Sequence, residues 1–228
     1  MSGRSQPLGQ HFLGSEQLAA RLVRDSGVGD HDRVVDIGAG TGLITAALAT
    51  SAATVIAVEL DPVLAARLVR RFERIPNVTI FGADVRDVPL PRTPYRVVAN
   101  PPFGQTAALL HRLLDDPGGG LVRADVVVQW QVARHRARVS EGGPADLLGA
   151  TWDPWWQFAR GRRLPAACFR PRPSVDAAVL QITRRAARAL PAEAFEGFAR
   201  YLGDAWRTTP DAPQIEMQAW TRRYRTRK

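Results

Sequence analysis

The chain has 228 residues, of which 45% are hydrophobic and 23% are charged. This composition is ordinary for a soluble globular protein, so it excludes wholesale disorder and allows a sizeable core. Thirty-one Lys and Arg residues against 22 Asp and Glu residues give a net charge of +9, and Lys228 is the one lysine. Because arginine suits phosphate and stacks on bases, the excess favours a polyanionic partner such as nucleic acid. The alternative explanation is a GC-rich coding sequence that replaces lysine by arginine throughout.

Several kinds of site are excluded by what the chain lacks. Cys168 is the one cysteine, which excludes an internal disulfide and a thiolate metal cluster. The four histidines lack the spacing of metal ligands, and there is no run of about 18 apolar residues that could cross a membrane. Residues 1–9 are not followed by the apolar segment of a secretory signal. We therefore expect a cytoplasmic protein with no metal site.

Short, almost continuously apolar runs predict strands that are buried on both faces. The predicted strands are residues 33–37, 54–58, 78–81, 96–99, 125–128 and 177–182. The predicted helices are residues 42–50, 62–74, 106–114 and 192–206. This alternation is typical of an α/β fold with a doubly wound, Rossmann-like parallel sheet.

The regular alternation of predicted strands and helices ends after Gln129. Residues 152–158 hold three tryptophans in a segment that is interpreted as a loop, with at least two rings packed under the substrate loop and one exposed for stacking. The last seven residues carry five cations and no acid, and we expect this tail to be disordered when free. We predict a main domain at residues 1–183 and a small helical C-terminal region with a basic tail at residues 184–228.

A glycine-rich loop joins the first predicted strand to the first predicted helix. It contains Asp36, Gly38, Gly40 and Gly42, and Leu43 stands where a dinucleotide-binding loop would have its third glycine. Such a loop lets a ligand approach the backbone closely, although it is also compatible with a plain strand–helix connection.

Two further acids follow the next two predicted strands. Glu59 stands where a doubly wound fold places a carboxylate against ribose hydroxyls, and Asp84 occupies the same edge of the sheet. Asp36 could alternatively cap a helix, and Glu59 could pair with an arginine. A ligand that needs ribose and adenine contacts without a pyrophosphate clamp indicates S-adenosylmethionine.

The fourth predicted strand ends in Asn100, Pro101, Pro102 and Phe103. The prolines stiffen the backbone and supply carbonyls without N–H donors, so the Asn100 side-chain oxygen and a carbonyl form a pair of acceptors. Two acceptors on the amine of adenine favour the form whose lone pair can attack a sulfonium methyl group. Phe103 offers a face on which a flipped base can stack. A rigid strand–helix turn is the structural alternative.

These motifs, in this order, resemble the rRNA adenine N6-methyltransferase family over residues 10–182. The resemblance implies a class I methyltransferase fold, with Asn100, Pro101 and Phe103 as catalytic residues. It also implies a set of residues around S-adenosylmethionine: Gln10, His11, Leu13, Asp36, Gly38, Gly40, Gly42, Glu59, Leu60, Asp84, Val85 and Asn100. Many relatives carry Asn where His11 stands here. Phe169 opens a later motif, and the resemblance implies that it sandwiches the target base opposite Phe103.

Within this family the chain looks like the Erm branch. Pro101 and Phe103 depart from the Asn-Leu-Pro-Tyr of the small-subunit dimethylases, and only about 45 residues follow the last predicted strand. The Erm branch methylates an adenine in the peptidyl-transferase loop of 23S rRNA and confers macrolide-type resistance. The resemblance thus implies 23S rRNA as partner, before full ribosome assembly, and we expect a monomer. The alternatives are a small-subunit (16S-type) dimethyltransferase and a non-catalytic nucleic-acid-binding relative.

Arginine clusters are the remaining candidates for RNA contact. Those near the predicted catalytic edge are preferred, together with Phe103 and Phe169: Arg134, Arg136, Arg160, Arg162 and Arg163. The arginines at residues 67–74 are interpreted as a solvated helix face.

Overall fold

A mixed sheet of seven strands forms the centre of the protein, which the computed structural model describes at residues 10–88, 90–143 and 146–227. Its strands are β2 (Arg33–Ile37), β3 (Thr54–Glu59), β4 (Val78–Gly82), β5 (Tyr95–Ala99), β6 (Leu121–Gln129), β7 (Trp156–Leu164) and β9 (Ala177–Arg184). Two further strands, β1 (Phe12–Leu13) and β8 (Phe169–Arg170), pair with each other in a separate sheet. The helices are α1 (Glu16–Ser26), α2 (Leu43–Ala49), α3 (Pro62–Phe72), α4 (Thr106–Leu114), α5 (Trp130–Ser140), α6 (Leu147–Trp152), α7 (Phe195–Thr208) and α8 (Met217–Arg225).

The order of the strands places a switch point between β2 and β5. The order is β4-β3-β2-β5-β6-β9-β7; β2 to β6 pair in parallel, and β9 is antiparallel to both its neighbours, β6 and β7. From β2 the chain moves outward to β4 and then returns to the other side of β2 with β5. In a doubly wound sheet, ligands bind in the crevice at the carboxyl ends of such strands.

Both faces of the central strands are buried, which explains their continuous apolar runs. Val34 packs in a cluster with α1 and α2, whereas Val35 packs in a second cluster on the opposite face with α4 and the C-terminal helices. The neighbours Val97 and Val98 divide in the same way. The expected α/β architecture is confirmed, and all six predicted strands are present.

Local signals account for the predicted helices. At α3, the Asp61 carboxylate accepts hydrogen bonds from the backbone N–H groups of Val63 and Leu64 at 2.8 and 3.0 Å, and Pro62 occupies the first turn. The predicted helix at residues 192–206 begins with a 3₁₀ turn, and its α-helical part is α7. Four helices, α1, α5, α6 and α8, add to those that the sequence predicts.

The tryptophan-rich segment is not a loop, as the sequence had suggested. Trp156 begins β7, which forms the outer edge of the sheet, and side chains from Trp156 to Ala159 alternate between buried and exposed. An irregularity in the pairing between Arg160 and Arg163 breaks that alternation, and the exposed arginines hide the strand pattern.

No tryptophan of this segment is available for stacking on a base. Trp152, Trp155 and Trp156 are each 0% exposed. Their indole N–H groups donate to Asp115 Oδ1 at 2.8 Å, to the Pro191 carbonyl at 3.3 Å and to the Leu114 carbonyl at 3.1 Å. The expectation of an exposed ring is therefore wrong, because all three rings fill the core on the α4 side.

The basic tail is helical instead of disordered over most of its length. Trp220 of α8 is buried, and Tyr224, one turn later, packs edge-on against Phe198 of α7 with 5.4 Å between ring centroids. This pair of aromatic residues anchors the helix as far as Arg225. Lys228, at the end of the tail, lies outside the described residues.

The C-terminal helices share a core with the sheet. Phe198, Leu202 and Trp220 belong to the same buried cluster as Val97 of β5 and Trp155. The predicted boundary at residue 183 is thus crossed by continuous packing, and a division into two domains stays a prediction.

Two expected absences concern the described residues alone. Within residues 10–88, 90–143 and 146–227, no helix combines the length and apolar character needed to span a bilayer. The same part of the chain brings no three His, Cys, Asp or Glu side chains together in a way that could hold a metal ion. The expected lack of a secretory signal concerns residues 1–9, which lie outside the described residues.

Candidate active site

A cavity of about 770 Å³ opens at the switch point, at the carboxyl ends of the parallel strands. Most of the residues predicted to bind the cofactor or to act in catalysis line it: Gln10, His11, Gly38, Gly40, Glu59, Leu60, Asp84, Val85, Asn100 and Pro101. Four others lie outside its lining, namely Leu13, Asp36, Gly42 and Phe103. The cavity has the size of a small-molecule or cofactor site.

The glycine loop approaches its neighbours too closely for side chains. Gly38 and Gly40 have φ angles of 74° and 56°. A Cβ on Gly38 would lie 3.1 Å from Pro101 Cα, and one on Gly40 would lie 2.9 Å from the Phe12 ring. Gly42 is the N-cap residue of α2, and a Cβ on it would lie 2.7 Å from Leu68 Cδ2, so it faces α3 instead of the cavity. The first two glycines leave the cavity wall as bare backbone.

Glu59 ties the glycine loop to the end of β3. Its Oε2 accepts a hydrogen bond from the Gly40 N–H at 2.7 Å, and its Oε1 accepts one from the Asp61 N–H at 2.8 Å. The side chain is buried and pairs with no arginine among the described residues, so the alternative of an arginine partner is not met. The remaining lone pairs of this carboxylate border the cavity.

Asp84 has a neighbour that sequence reasoning missed. The Arg86 guanidinium binds both carboxylate oxygens, with Nε 3.0 Å from Oδ1 and Nη2 2.7 Å from Oδ2. These hydrogen bonds hold the pKa of Asp84 below its usual range, so the group stays ionised. Arg86 also lines the cavity. The spacing of an acid and an arginine two residues apart is the signal that could have indicated it.

Asp36 stands behind the cavity and not in its lining. It is fully buried, and the Thr45 hydroxyl donates to its Oδ2 at 2.6 Å. Oδ1 has no hydrogen-bond partner among the described residues. Burial raises the pKa of Asp36 to about 7, and the nearby Glu59 charge acts in the same direction. Asp36 is thus tied through Thr45 to α2, and it does not line the cavity.

Asn100 is held so that its oxygen is free. Its Nδ2 donates to the backbone carbonyl of His11 at 2.8 Å, whereas its buried Oδ1 has no partner among the described residues. The Pro102 carbonyl is taken by the Gln105 N–H at 2.9 Å, and none of the described backbone N–H groups donates to Pro101. The turn therefore holds two acceptors that no described group pairs with, the buried Asn100 Oδ1 and the Pro101 carbonyl.

Phe169 is not placed to sandwich a base. It is 0% exposed and lies in β8, which pairs with β1. Its ring meets that of Phe103 edge-on, with 6.3 Å between centroids and an interplanar angle of 74°. Two rings at that angle leave no slot for a base, because Phe169 is part of the core beside α1. Phe103 is half-buried, and its ring packs 5.4 Å from that of His11.

Three of the five predicted RNA-binding arginines already have acidic partners. Arg136 forms an ion pair with Asp146 and lies over Trp152. Arg162 pairs with Asp25 at 2.6 Å, and Arg163 pairs with Asp176 at 2.8 Å: both partners stand far from the arginines in sequence. Arg134 and Arg160 are exposed and have no carboxylate partner within the described ranges.

Trp130, which the sequence analysis did not single out, lies beneath one free and one paired arginine. The guanidinium carbons of Arg160 and Arg163 lie 4.7 and 4.8 Å from the centroid of its ring. Arg134 follows Trp130 by one helical turn on α5, and the exposed Arg138 follows by a second turn. We call Trp130, Arg134, Arg138 and Arg160 the α5–β7 surface.

Comparisons with known proteins identify the family to which the chain is similar. A model of the ribosomal RNA adenine dimethylase family matches residues 2–205. The mycinamicin-resistance protein MyrB of Micromonospora griseorubida is 36% identical over 236 residues, which cover 98% of this chain and 72% of that protein. The ribosomal RNA small subunit methyltransferase A of Chlorobaculum parvum is 33% identical over 207 residues, 87% of this chain and 72% of that protein.

A solved structure shares the fold. The crystal structure of the 23S rRNA methyltransferase ErmE superposes with a TM-score of 0.78 at 24% identity, over 94% of this chain and 98% of that one. At this level of identity the likeness concerns the architecture of the sheet and its helices.

Proposed function

Because the chain belongs to the ribosomal RNA adenine dimethylase family, whose members are S-adenosylmethionine-dependent rRNA adenine N6-methyltransferases, we propose that its substrate is 23S rRNA. The target is one adenine of the peptidyl-transferase loop, and its methylation confers macrolide-type resistance. The protein acts as a monomer on RNA that is not yet fully assembled into a ribosome. The expected resemblance to Erm-type enzymes is confirmed by the relatives.

The free Oδ1 of Asn100 is the observation that carries the chemistry. A buried acceptor without a partner costs free energy, on the order of 1–3 kcal/mol, and an amine hydrogen of the target adenine would satisfy it. The Pro101 carbonyl accepts the second amine hydrogen. Held in this way, the amine nitrogen would direct its lone pair toward the methyl carbon of bound S-adenosylmethionine. As the new N–C bond forms, the bond between that carbon and the sulfonium sulfur would break and leave a neutral thioether, and the methylated amine would lose its proton to water. Positioning does most of the catalysis, so no general base is required.

The walls of the cavity fit S-adenosylmethionine, which supplies a methyl group on an electrophilic sulfonium sulfur. Gly38 and Gly40 give it backbone to approach, Glu59 offers carboxylate oxygens to ribose hydroxyls, and Asp84 offers acceptors to the amine of its adenine. Gln10, Leu60 and Val85 complete the wall. Arg86 keeps the Asp84 carboxylate ionised and oriented.

The α5–β7 surface is the best candidate for the RNA backbone. Its three arginines are exposed and carry no carboxylate partner within the described ranges, and one of them, Arg160, lies over the Trp130 ring. Val126 of β6 pairs with Ala99, which precedes Asn100. Trp130 follows Val126 by four positions, about 13 Å along an extended strand. RNA bound here could therefore reach Asn100 within a few nucleotides.

Methylation of isolated RNA tests the proposal. Purified protein, labelled S-adenosylmethionine and protein-free 23S or 16S rRNA should give label in N6-methylated adenine of the 23S RNA alone, and Asn100→Ala should reduce the rate at least about 100-fold. The relative from Chlorobaculum parvum makes the small subunit the rival substrate. Label in 16S rRNA would support that rival, and RNA binding without methylation would support a non-catalytic role.

A further inference from the structure

A short clasp joins the N-terminal segment to the segment that follows β7. Phe12 and Leu13 of β1 pair with Arg170 and Phe169 of β8, and the Gly14 N–H donates to the Cys168 carbonyl at 2.7 Å. The clasp covers one side of the cavity, because the Phe12 ring lies against Gly40 of the glycine loop.

His11, directly before the clasp, makes two hydrogen bonds, one as an acceptor through its backbone and one as a donor through its ring. Its backbone carbonyl accepts from Asn100 Nδ2 at 2.8 Å. Its ring Nδ1 lies 2.8 Å from the Pro171 carbonyl oxygen, and because a carbonyl can only accept, Nδ1 is the donor. The ring also packs beside Phe103. A single residue therefore connects the Phe169–Pro171 side of the cavity to the catalytic turn.

The carbonyl of His11 decides which end of the Asn100 amide faces the cavity. A carbonyl accepts from Nδ2 but repels Oδ1, so the bond excludes the flipped amide. In the flipped amide an N–H donor would meet the amine of adenine, which also presents N–H groups. Correct orientation is thus a condition for binding and aligning that amine.

We propose that His11 is a positioning residue: its ring bond to Pro171 holds the His11 carbonyl where it fixes the Asn100 amide and leaves Oδ1 as the acceptor for the target amine. The inference rests on the proposed function and deepens it, because it assigns the imidazole to the orientation of Asn100 and not to cofactor binding. Asn at position 11 can make the same bond, since its Nδ2 stands at the same position along the side chain as Nδ1 of His. Leu fills similar space but cannot donate.

Kinetics of three proteins test the inference. His11→Leu should lower kcat by about 10-fold or more, as expected for a displaced catalytic group, while the Kd for S-adenosylmethionine measured by calorimetry changes less than about threefold. His11→Asn should restore most of the lost kcat. Equal loss of kcat and cofactor affinity in His11→Leu would overturn the inference and show that the ring holds the cofactor. Wild-type kcat in His11→Leu would overturn it as well.

A spectroscopic test needs no turnover, so it separates this inference from the proposed function. The sequence contains two asparagines, Asn77 and Asn100, so selective ¹⁵N-asparagine labelling gives two pairs of side-chain amide signals. Asn77 Nδ2 donates to the carbonyls of Ala49 and Ala52, both at 3.0 Å, and serves as the internal control. In His11→Leu the chemical shifts of the Asn100 pair should move toward those of a solvent-exposed asparagine, while the chemical shifts of the Asn77 pair should not change. An unchanged Asn100 pair would refute the inference, even in a protein that methylates 23S rRNA.

Discussion

At the scale of single residues, Asp36 has a pKa that burial in the fold raises. It would ionise near 3.8 in the unfolded chain, but in the folded protein burial raises its pKa to about 7. Between these values the folded state binds more protons than the unfolded state. Its contribution to stability is therefore fully present below about pH 4 and is lost as the pH rises toward 7.

Asp36→Asn should remove this dependence. Asn can still accept from the Thr45 hydroxyl and has no charge to bury. The free energy of unfolding of the variant should therefore exceed that of the wild type by a margin that grows between pH 4 and 7, up to a few kcal/mol. Urea denaturation at several pH values measures the margin. Asp30→Asn, whose parent side chain is 89% exposed, is the control and should follow the wild-type profile. A margin independent of pH would show that Asp36 ionises normally in the fold.

At the scale of elements, α5 and β7 together form a surface that neither forms alone. Arg160 of β7 reaches over Trp130 of α5, and Arg134 extends the same surface along the helix. Each arginine that contacts a phosphate releases counterions, so the logarithm of the RNA affinity falls with the logarithm of the salt concentration.

Replacing Arg134 and Arg160 should make the RNA affinity less dependent on the salt concentration. In the double variant Arg134→Gln/Arg160→Gln, the slope should fall by about 0.7 for each arginine, with kcat at saturating RNA unchanged. Filter binding of a 23S rRNA fragment between low and moderate salt gives the slope. Arg67→Gln on α3, an exposed arginine away from the surface, is the matched control and should keep the wild-type slope. An unchanged slope in the double variant would exclude this surface from RNA binding.

The strands also differ in how far the sequence could predict them. Strand ends at the switch point were predictable because buried parallel strands have continuous apolar runs, and their last residues, among them Glu59 and Asn100, meet at one edge. The strand β7 was not predictable, because its pattern is broken where the pairing is irregular. The state of Arg162 depended on Asp25, 137 positions away, and no local pattern indicates such a pair. The burial of Phe169 likewise depends on its pairing with β1.

At the scale of the whole molecule, the C-terminal helices are part of the central packing. Trp220 is 1% exposed and stacks on Trp206 with 6.1 Å between ring centroids. It belongs to the cluster that also contains residues of the sheet. The region after residue 183 should therefore unfold together with the methyltransferase sheet.

Trp220→Ala should destabilise the entire chain. Loss of a buried tryptophan costs about 3–5 kcal/mol, and the loss should appear in one cooperative transition by both circular dichroism and tryptophan fluorescence. Arg222→Gln, a substitution at an exposed position of the same helix, should leave the midpoint of the unfolding transition unchanged. Two separate transitions, with the sheet unaffected, would instead support an independent unit at residues 184–228.

The central claim is that Asn100 directs N6-methylation of one adenine in 23S rRNA. Mass spectrometry of rRNA fragments from cells that express the wild type, Asn100→Ala or no protein tests it most directly, because it reports base, subunit and number of methyl groups together. We expect added methyl mass on a single adenine of the peptidyl-transferase loop with the wild type, and none with Asn100→Ala or without the protein. Methylation confined to 16S rRNA, or equal methylation by Asn100→Ala, would contradict the claim.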